Sequence, residues 1–454
     1  MNAHEFGPAP ARRAAFALVG AALAAWPAFA QPQPSAGATV TALPTAQPLP
    51  VAKPEDVGLD PTRLARIRPA FEREVTEGRI PGAVLMVARR GKLAYTETIG
   101  FRDQKEAVAM TPDTVFRLYS MTKPMTSVAV MMLVEEGRIG LADPVSRYLP
   151  AFGKAPVSVV RADATEQVAA ERPIRIYDLL RHTSGLAYGE LTANAPVRDA
   201  YVRGGLRSDT LDYESRSLSP EAFTQAVAAA PLARQPGTTW EYGVSVDVLG
   251  RVVEAVSGQR LEAFLDDRLF KPLRMADTGF SLRDAAQGRR LALHSGVDPA
   301  AGNKPVGMID VSSPPGNASG GAGAIGTAGD YLRFGQMLVN GGVLDGARIL
   351  SPATIRLMTT DHVAGLAAPL PPGMLLLGSP GYGFGLGFLV RLDDGGALVS
   401  GREGQFMWAG YGGTYFWVDP KAELVAVLLT AAPSAGRAAH RRLFQTLVYS
   451  AIVD

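Results

Sequence analysis

The chain has 454 residues, enough for two lobes or for one large domain with an inserted subdomain. Hydrophobic residues make up 47% of it and charged residues 19%, which excludes a disordered chain and is typical of a globular protein. The net charge is +2, and basic residues occur in short pairs such as Arg289-Arg290 rather than in long clusters. We therefore expect no nucleic-acid partner.

The sequence contains no cysteine, which excludes thiol nucleophiles, disulfides and thiolate-ligated zinc or iron–sulfur sites. Its five histidines stand singly, and none belongs to a His-Glu-x-x-His or similar metal-ligand pattern. We therefore predict neither a metal ion nor another cofactor.

The first thirty residues have the pattern of an export signal. Arg12 and Arg13 precede an apolar run of small residues, and Ala28-Phe29-Ala30 is typical of a cleavage site, so we predict a signal peptide over residues 1–30. The paired arginines suggest a twin-arginine route, but the following residues match that signal poorly, so ordinary secretion is favoured. An unprocessed disordered tail is the alternative. We expect a periplasmic or secreted protein without stable membrane insertion, because no later stretch has the roughly 18 apolar residues of a membrane span.

Residues 31–55 are rich in Pro, Ala, Thr and Ser, which predicts a linker before a folded domain over residues 56–454. Apolar spacing over residues 61–78 predicts a helix. Two β-like runs, 83–88 and 93–98, flank a short polar turn and predict a hairpin.

A long helix is predicted from Ser120 to Glu136, in a helical lobe over about 116–338 where no strand pair is evident. Strand patterns return at the C-terminal end, before a last helix from Ala438, at residues 383–392, 397–400, 413–418 and 424–430. The pattern predicts an α/β (α+β) fold in which both chain ends, about 56–115 and 339–454, build one antiparallel sheet flanked by helices. The helical lobe is inserted between them, and a site between the lobes is expected.

The tetrapeptide Ser120-Met121-Thr122-Lys123 is the strongest chemical motif. Residues three apart share a helix face, which brings a lysine amine close to a serine hydroxyl. Serine is a weak nucleophile alone, and a partly buried lysine beside cationic or apolar groups can accept its proton. Taken alone, this common tetrapeptide is more often an exposed helical pair than a catalytic one. No Gly-x-Ser-x-Gly elbow occurs, which argues against an α/β-hydrolase fold.

Several ordered segments around this motif resemble serine β-lactamases and penicillin-binding proteins. They span about residues 56 to 450 and lie, in chain order, at 116–124, 179–186, 236–242, 272–280, 319–330 and 381–387. The resemblance implies a β-lactamase/transpeptidase-like fold. It also implies that Tyr242 faces Ser120 and relays protons together with Lys123.

Two departures from the β-lactamase pattern point towards esterases. Val244 stands where β-lactamases place a substrate-binding asparagine, and Trp408-Ala409-Gly410 stands where they place a Lys-Thr-Gly motif on an edge strand. Without that cation, the resemblance implies an apolar wall at Trp408 and substrates that lack a carboxylate. In both departures the sequence resembles family VIII carboxylesterases. Trp408 as plain sheet core is the alternative interpretation.

The resemblance further implies an oxyanion hole made by the backbone N–H groups of Ser120 and Tyr411. Glycines such as Gly410 would either allow substrate to approach the strand or allow the strand to pack tightly against its neighbours. Tyr188 and the loop 369–380 are expected at the pocket border, with ordinary surface loop as the alternative. His182 belongs to a block that looks like the family's structural turn, so we expect it to be structural rather than a catalytic base.

The sequence therefore predicts a serine hydrolase that cleaves small-molecule carboxylic esters through an acyl-enzyme on Ser120. The alternatives are a β-lactamase or D-alanyl-peptide hydrolase, which the altered motifs disfavour, and an acyltransferase that uses the same residues. Weak β-lactam turnover is compatible with the esterase prediction. A non-catalytic binding or sensor protein of the same fold is disfavoured because the Ser-x-x-Lys pair is intact.

Overall fold

The computed structural model describes residues 49–160, 165–207, 215–294, 297–298, 304–305, 307–434 and 436–454. The predicted signal peptide and most of the predicted linker lie outside these ranges. Residues 49–55, which we expected to be linker, belong to the folded body. Leu49 is buried. The backbone of Ala52 donates to Leu93 at 3.0 Å, and that of Leu93 donates to Pro50 at 2.8 Å.

The helices of the described residues follow the predicted order. They are α1 (Pro61–Leu64), α2 (Ile67–Thr76), α3 (Thr122–Glu135), α4 (Ile176–Leu180), α5 (Ala195–Arg203), α6 (Pro220–Ala229), α7 (Ser245–Ser257), α8 (Leu261–Leu265), α9 (Ala285–Arg289), α10 (Ala328–Val339), α11 (Pro352–Met358), α12 (Pro372–Leu377) and α13 (Arg437–Ser450). The predicted helix 61–78 is thus split into α1 and α2, whereas the long helix after Ser120 and the last helix are confirmed as α3 and α13. A short 3-10 turn, Tyr119–Met121, leads into α3.

The strands lie mostly at the two ends of the chain. They are β1 (Gly82–Arg89), β2 (Lys92–Asp103), β3 (Val108–Ala109), β4 (Phe116–Arg117), β5 (Pro156–Val160), β6 (Thr165–Ala169), β7 (Val297–Asp298), β8 (Lys304–Pro305), β9 (Ile325–Gly326), β10 (Val343–Leu344), β11 (Ala347–Arg348), β12 (Tyr382–Phe384), β13 (Leu389–Arg391), β14 (Phe406–Ala409), β15 (Tyr415–Asp419) and β16 (Leu424–Thr430).

The main sheet has eight strands in the order β12-β13-β14-β15-β16-β1-β2-β3. The pairing of β1 with β16 joins the two chain ends, in an antiparallel register from Ala83 opposite Thr430 to Arg89 opposite Leu424. This confirms the predicted sheet built from both ends of the chain. The predicted β1–β2 hairpin is confirmed as well.

Helices cover both faces of this sheet, which explains why its central strands are apolar throughout. Neighbouring strand residues point to opposite faces. Phe416 packs against Tyr331 of α10, with ring centroids 4.7 Å apart, whereas Trp417 packs against Phe444 of α13 at 5.3 Å. The sheet is therefore the middle layer between α10 and α13.

Four sequence predictions about strands were wrong. The helical lobe contains strand pairs, of which β5 with β6 is the longest; the sequence did not reveal it because most β6 side chains are exposed and polar. The predicted strand 383–392 is two short strands, β12 and β13, and residues 397–400 form no strand. The Trp408 motif lies on β14, an interior strand rather than an edge strand. Strand β13 pairs with β14 only at Phe406 and Met407, so β14 continues past the end of β13.

Among the described helices, none has both the length and the apolar composition that crossing a bilayer requires.

Candidate active site

Ser120 lies in the turn that opens α3. The preceding residue, Tyr119, has a φ of 47°, a left-handed conformation that is uncommon for a side chain of this size. Thr122 stabilises the turn, since its hydroxyl donates to the Tyr119 carbonyl at 2.7 Å and accepts from the Ala324 N–H at 3.0 Å. Packing therefore holds a strained backbone directly before a half-buried serine, a combination common at functional sites.

Lys123 is buried one helical turn after Ser120, as the spacing predicts. Its amine donates to the Ser120 hydroxyl at 3.3 Å, to the Tyr188 hydroxyl at 2.9 Å and to the Gly321 carbonyl at 2.9 Å. All three partners are neutral oxygen atoms. Within the described ranges, no carboxylate forms an ion pair with this amine. It is thus available for proton exchange with the two hydroxyls.

Tyr242 also contacts Ser120. Its hydroxyl donates to the Ser120 Oγ at 2.7 Å, and its ring centroid lies 4.7 Å from the Lys123 amine. The loop that carries it is held by backbone hydrogen bonds, including Glu241 N–H to His182 O at 2.9 Å. The structure therefore brings together the three side chains that the sequence nominated for the chemistry.

Tyr188 contacts the site more closely than the sequence indicated. We expected it only at the pocket border, but its side chain is buried and its hydroxyl accepts from Lys123. Its ring centroid is 5.2 Å from that of Tyr242. No spacing rule connects Tyr188 with Lys123, and its position two residues after the segment 179–186 was the only available signal.

Trp408 is a support for Tyr242 rather than an open substrate wall. Its side chain is fully buried, with its ring centroid 5.4 Å from Tyr242 and 5.3 Å from Phe384. The predicted direct contact with substrate is therefore wrong for this residue. Packing of Trp408 against Tyr242 restricts the tyrosine ring and keeps its hydroxyl aimed at Ser120.

His182 completes the aromatic packing around Tyr242, with ring centroids 5.0 Å apart. Burial, and to a lesser extent the charge of Lys123, holds the pKa of His182 well below its usual value, so the ring is neutral. Neither ring nitrogen has a hydrogen-bond partner among the described residues. His182 therefore makes no Ser-His pair with Ser120.

Val244 and Gly410 do not have the substrate-contact roles that we expected. Val244 is fully buried in the apolar core, at the residue that precedes α7. A Cβ atom at Gly410 would lie 2.2 Å from the Thr414 Oγ1 and 2.3 Å from the Leu118 carbonyl oxygen. The glycine is therefore required by close packing of two protein segments, which favours the second of the two interpretations that the sequence left open.

The two segments that carry the expected oxyanion donors are in contact. Gly410 begins a tight turn that is closed by its N–H bond to Thr414 O at 2.9 Å, and the Thr414 hydroxyl donates to Leu118 O at 3.2 Å. Within this turn, the half-exposed Tyr411 packs on Tyr119, with ring centroids 5.5 Å apart. The backbone of Tyr411 is thereby anchored to the segment that immediately precedes Ser120.

A buried carboxylate, which sequence reasoning missed, supports the Lys123 side of the site. Asp247 in α7 accepts hydrogen bonds from the Gly321 N–H at 3.1 Å and from the Ser319 hydroxyl. Since the Gly321 carbonyl accepts from Lys123, Asp247 orients one of the three acceptors around the amine. Asp247 lies five residues after Tyr242, but its orientation within α7 became evident only in the folded structure.

In the part of the chain that the structure describes, no group of three or more His, Asp or Glu side chains could hold a metal ion.

A separate cavity of about 760 Å³ is bordered by α6, α7 and the residues around Pro150. Its described lining contains none of the side chains around Ser120, so its size does not make it the reactive site.

Comparison with known proteins identifies the family. A family model described as Beta-lactamase matches residues 67–449, most of the chain. The chain belongs to the β-lactamase family. This confirms the resemblance to β-lactamases and the β-lactamase/transpeptidase-like fold that were inferred from the sequence.

Proteins similar to this chain include an esterase, a hydrolase and simvastatin synthase. Esterase EstB from Burkholderia gladioli is 34% identical over 401 residues, which cover 83% of this chain and 93% of EstB. The solved structure of EstCE1, a hydrolase with promiscuous acyltransferase activity, has a TM-score of 0.69, 31% identity and coverage of 87% of this chain and 99% of EstCE1. Simvastatin synthase (LovD) from Aspergillus terreus has a TM-score of 0.69 at 26% identity, over 86% of this chain and 98% of its own. These similarities confirm the predicted class, a serine hydrolase.

Proposed function

We propose that the protein is a carboxylesterase that cleaves small-molecule esters through an acyl-enzyme on Ser120. The observation that carries this proposal is the position of the Ser120 hydroxyl, 3.3 Å from the Lys123 amine and 2.7 Å from the Tyr242 hydroxyl. A serine between two proton-exchanging groups is the arrangement that nucleophilic catalysis requires. Similarity to the esterase EstB and to the hydrolase EstCE1 supports the choice of ester as substrate.

In the acylation step, the Ser120 proton passes to the amine of Lys123 as Oγ attacks the ester carbonyl carbon. The carbonyl oxygen becomes an oxyanion and accepts hydrogen bonds from the backbone N–H groups of Ser120 and Tyr411. When the C–O bond to the alcohol breaks, the leaving oxygen takes a proton from Tyr242, which regains one from Lys123.

Deacylation runs through the same groups in reverse. Water attacks the acyl carbonyl, its proton passes to Tyr242 and Lys123, and the Ser120 oxygen leaves with a proton as the carboxylic acid is released. Every proton that leaves Ser120 is returned, so the cycle consumes only ester and water.

The substrate preference follows from what replaces the basic motif of penicillin-recognising enzymes. A lysine at the position of Trp408 would present a cation to a substrate carboxylate, whereas the tryptophan is fully buried against Tyr242. Val244 stands where the asparagine of β-lactamases would contact the acylamino side chain of the substrate, and it is buried as well. Both substitutions favour uncharged esters over β-lactams or D-alanyl peptides.

Acyl transfer to an alcohol is the second candidate function. It needs the same acyl-enzyme and differs only in the acceptor that attacks it. The similarity to EstCE1, with its promiscuous acyltransferase activity, and to simvastatin synthase favours this candidate. Competition between water and added alcohols for the acyl group would measure its share of the turnover.

We also propose that residues 1–30 direct export to the periplasm or the medium, because Arg12 and Arg13 precede an apolar run and a small-residue cleavage pattern. Mass spectrometry of the protein recovered from cell fractions tests this. An exported chain that begins at Gln31 supports the proposal, and an intracellular chain with an intact N-terminus refutes it.

The function is tested by intact-mass spectrometry after brief incubation with a p-nitrophenyl ester and, separately, with a β-lactam. We expect rapid ester turnover and an acyl adduct that is absent from Ser120→Ala and Lys123→Ala. Ser127→Ala is the matched control, since Ser127 is a buried serine of the same helix whose hydroxyl has no partner among the described residues. Ester hydrolysis at the wild-type rate by Ser120→Ala would refute the mechanism, and efficient β-lactam turnover would favour the β-lactamase alternative. Absence of any Ser120-dependent reaction would favour a binding protein.

A further inference from the structure

Arg441, in the first half of α13, is buried behind the turn that carries Tyr411. One guanidinium nitrogen donates to the Gly410 carbonyl at 2.8 Å, and another donates to the Leu376 carbonyl of α12 at 2.9 Å. The side chain is 2% exposed. A guanidinium is thus built into the interior directly behind the turn after β14.

The Gly410 carbonyl and the Tyr411 N–H belong to one peptide group. A peptide group is planar and trans, so its C=O and N–H point in opposite directions. A hydrogen bond that fixes the carbonyl towards Arg441 therefore also fixes the N–H, which points away from Arg441. A flip of this peptide would break the bond to the guanidinium and leave the Gly410 carbonyl buried without that donor.

We propose that Arg441 is a positioning residue for the oxyanion hole, which holds the Gly410–Tyr411 peptide with its N–H in the donating orientation. This inference rests on the proposed function, because Tyr411 matters only if an oxyanion forms at Ser120. Arg441 does not touch the substrate and acts through the peptide. The hydrogen bond also polarises that peptide, which makes its N–H a stronger donor.

The charge of Arg441 favours the same role. Within the described residues, no carboxylate pairs with its guanidinium, and its hydrogen-bond acceptors are backbone carbonyls. Burial, with a smaller contribution from Arg437, lowers the pKa of Arg441 to about 9, and the nearby Tyr415 and Tyr242 act against this shift. A buried cation without a counter-ion is costly. The negative charge that compensates it develops on the substrate oxygen during acylation, so the cation stabilises the transition state more than the ground state.

A purely structural role, in which the arginine only ties α13 to its neighbours, makes a different prediction. Arg442, the next residue, provides a direct comparison because it donates to the Leu377 carbonyl of α12. It is half-buried and makes no described contact with the Gly410 turn. Losing either arginine removes a backbone-carbonyl contact with α12. Only loss of Arg441 also removes a donor to the Gly410 carbonyl, which then keeps only the longer turn bond from the Gly413 N–H at 3.2 Å.

The test compares Arg441→Met, Arg441→Lys and Arg442→Met in p-nitrophenyl ester hydrolysis, with the melting temperature of each variant. Since removal of one oxyanion donor costs about 100- to 1,000-fold in kcat, we expect Arg441→Met to lose at least about 10-fold in kcat with KM within about threefold. Arg441→Lys, which retains a cation and one donor, should recover part of that loss, and Arg442→Met should retain wild-type kcat. Equal kcat for Arg441→Met and Arg442→Met would overturn the inference.

Two further measurements keep the test decisive. If Arg441→Met fails to fold, the pH profile of Arg441→Lys decides, because a buried lysine loses its proton at lower pH than arginine. Its kcat should fall with rising pH where the wild-type kcat does not, and an unchanged profile refutes the inference.

Ser120→Ala separates the two proposals, since hydrolysis that survives in Ser120→Ala refutes the proposed function. Hydrolysis that requires Ser120 but is indifferent to Arg441 refutes only the role of Arg441.

Discussion

Lys123 donates a hydrogen bond of 2.9 Å to the hydroxyl of Tyr188, although 65 residues separate them in the chain. The same amine contacts Ser120 at 3.3 Å. The lysine therefore links the nucleophile to a second tyrosine, in addition to Tyr242.

Replacing Tyr188 by phenylalanine should slow catalysis without unfolding the protein. The ring that packs on Tyr242 is retained, while the amine of Lys123 loses one of its three acceptors and becomes less well oriented. We expect kcat for a p-nitrophenyl ester to fall by about 10-fold, less than the roughly 100-fold or more that a general acid or base contributes, because the Tyr188 hydroxyl only orients the amine. Tyr177→Phe is the matched control, because the Tyr177 hydroxyl bonds His362 instead. Similar losses in both variants would show that Tyr188 is merely structural.

Tyr242→Phe should cost more, because the lost hydroxyl is the one that donates to the Ser120 Oγ at 2.7 Å. Packing against Trp408 and His182 is retained, so the melting temperature should change little. General acid–base groups contribute roughly 100- to 10,000-fold, and we expect kcat to fall within that range. Steady-state kinetics checks this, and a loss below about threefold would remove Tyr242 from the proton relay.

Asp247→Asn should weaken both stability and activity. The carboxylate accepts hydrogen bonds from the Gly321 N–H and the Ser319 hydroxyl, whereas an amide presents one oxygen and an NH₂ group to the same partners. Buried hydrogen bonds to a charged group are worth about 1.5–3 kcal/mol each, and urea unfolding should show a loss of that order. The Gly321 carbonyl should shift away from Lys123, with a fall in kcat. Unchanged stability and kcat would contradict this account.

The stability of the protein should depend on the protonation of Asp330 in α10. Burial raises the pKa of Asp330 to about 7, although its carboxylate accepts from the Asp277 N–H and the Thr278 hydroxyl at 2.8 Å each. Because the folded state binds this proton more tightly than the unfolded chain, its contribution is complete below about pH 4 and is lost as the pH rises through 7.

Asp330→Asn removes this titration while retaining an acceptor for both donors. The free energy of unfolding of the variant should therefore improve relative to wild type between pH 4 and pH 8, whatever the difference at the acidic end. Urea unfolding at several pH values measures this. A difference between the two proteins that does not change with pH would refute the assignment.

Gly410→Ala should disrupt the turn that carries Tyr411. The new methyl group would lie 2.3 Å from the Leu118 carbonyl oxygen, which is backbone and has little freedom to move. We expect destabilisation of about 1–3 kcal/mol, typical of overpacking, together with a loss of activity as the turn shifts relative to Ser120. At Gly412 the nearest atoms would be those of the Tyr119 ring at 3.3 Å, so Gly412→Ala is the milder control. Equal unfolding free energies for the two variants would contradict the packing argument.

The local features of this protein could be predicted from its sequence. The three-residue spacing of Ser120 and Lys123 places both on one helix face, and the alternation around residues 83–98 specifies a hairpin. The β-rich patterns at both chain ends predicted that they meet, which the pairing of β1 with β16 confirms. Tyr242 was nominated from family resemblance, and the structure brings its hydroxyl to the Ser120 Oγ.

Tertiary structure decided what these residues touch. Trp408 and Val244 were expected to face substrate, but the fold buries both. Tyr188, Asp247 and Arg441 reach the site from separate elements, and no period or spacing in the sequence connects them with Ser120. Periodicity encodes neighbours on one helix or strand, because backbone geometry repeats over a few residues. Contacts across tens or hundreds of residues depend on how whole elements pack, and this is where the environment of Ser120 was determined.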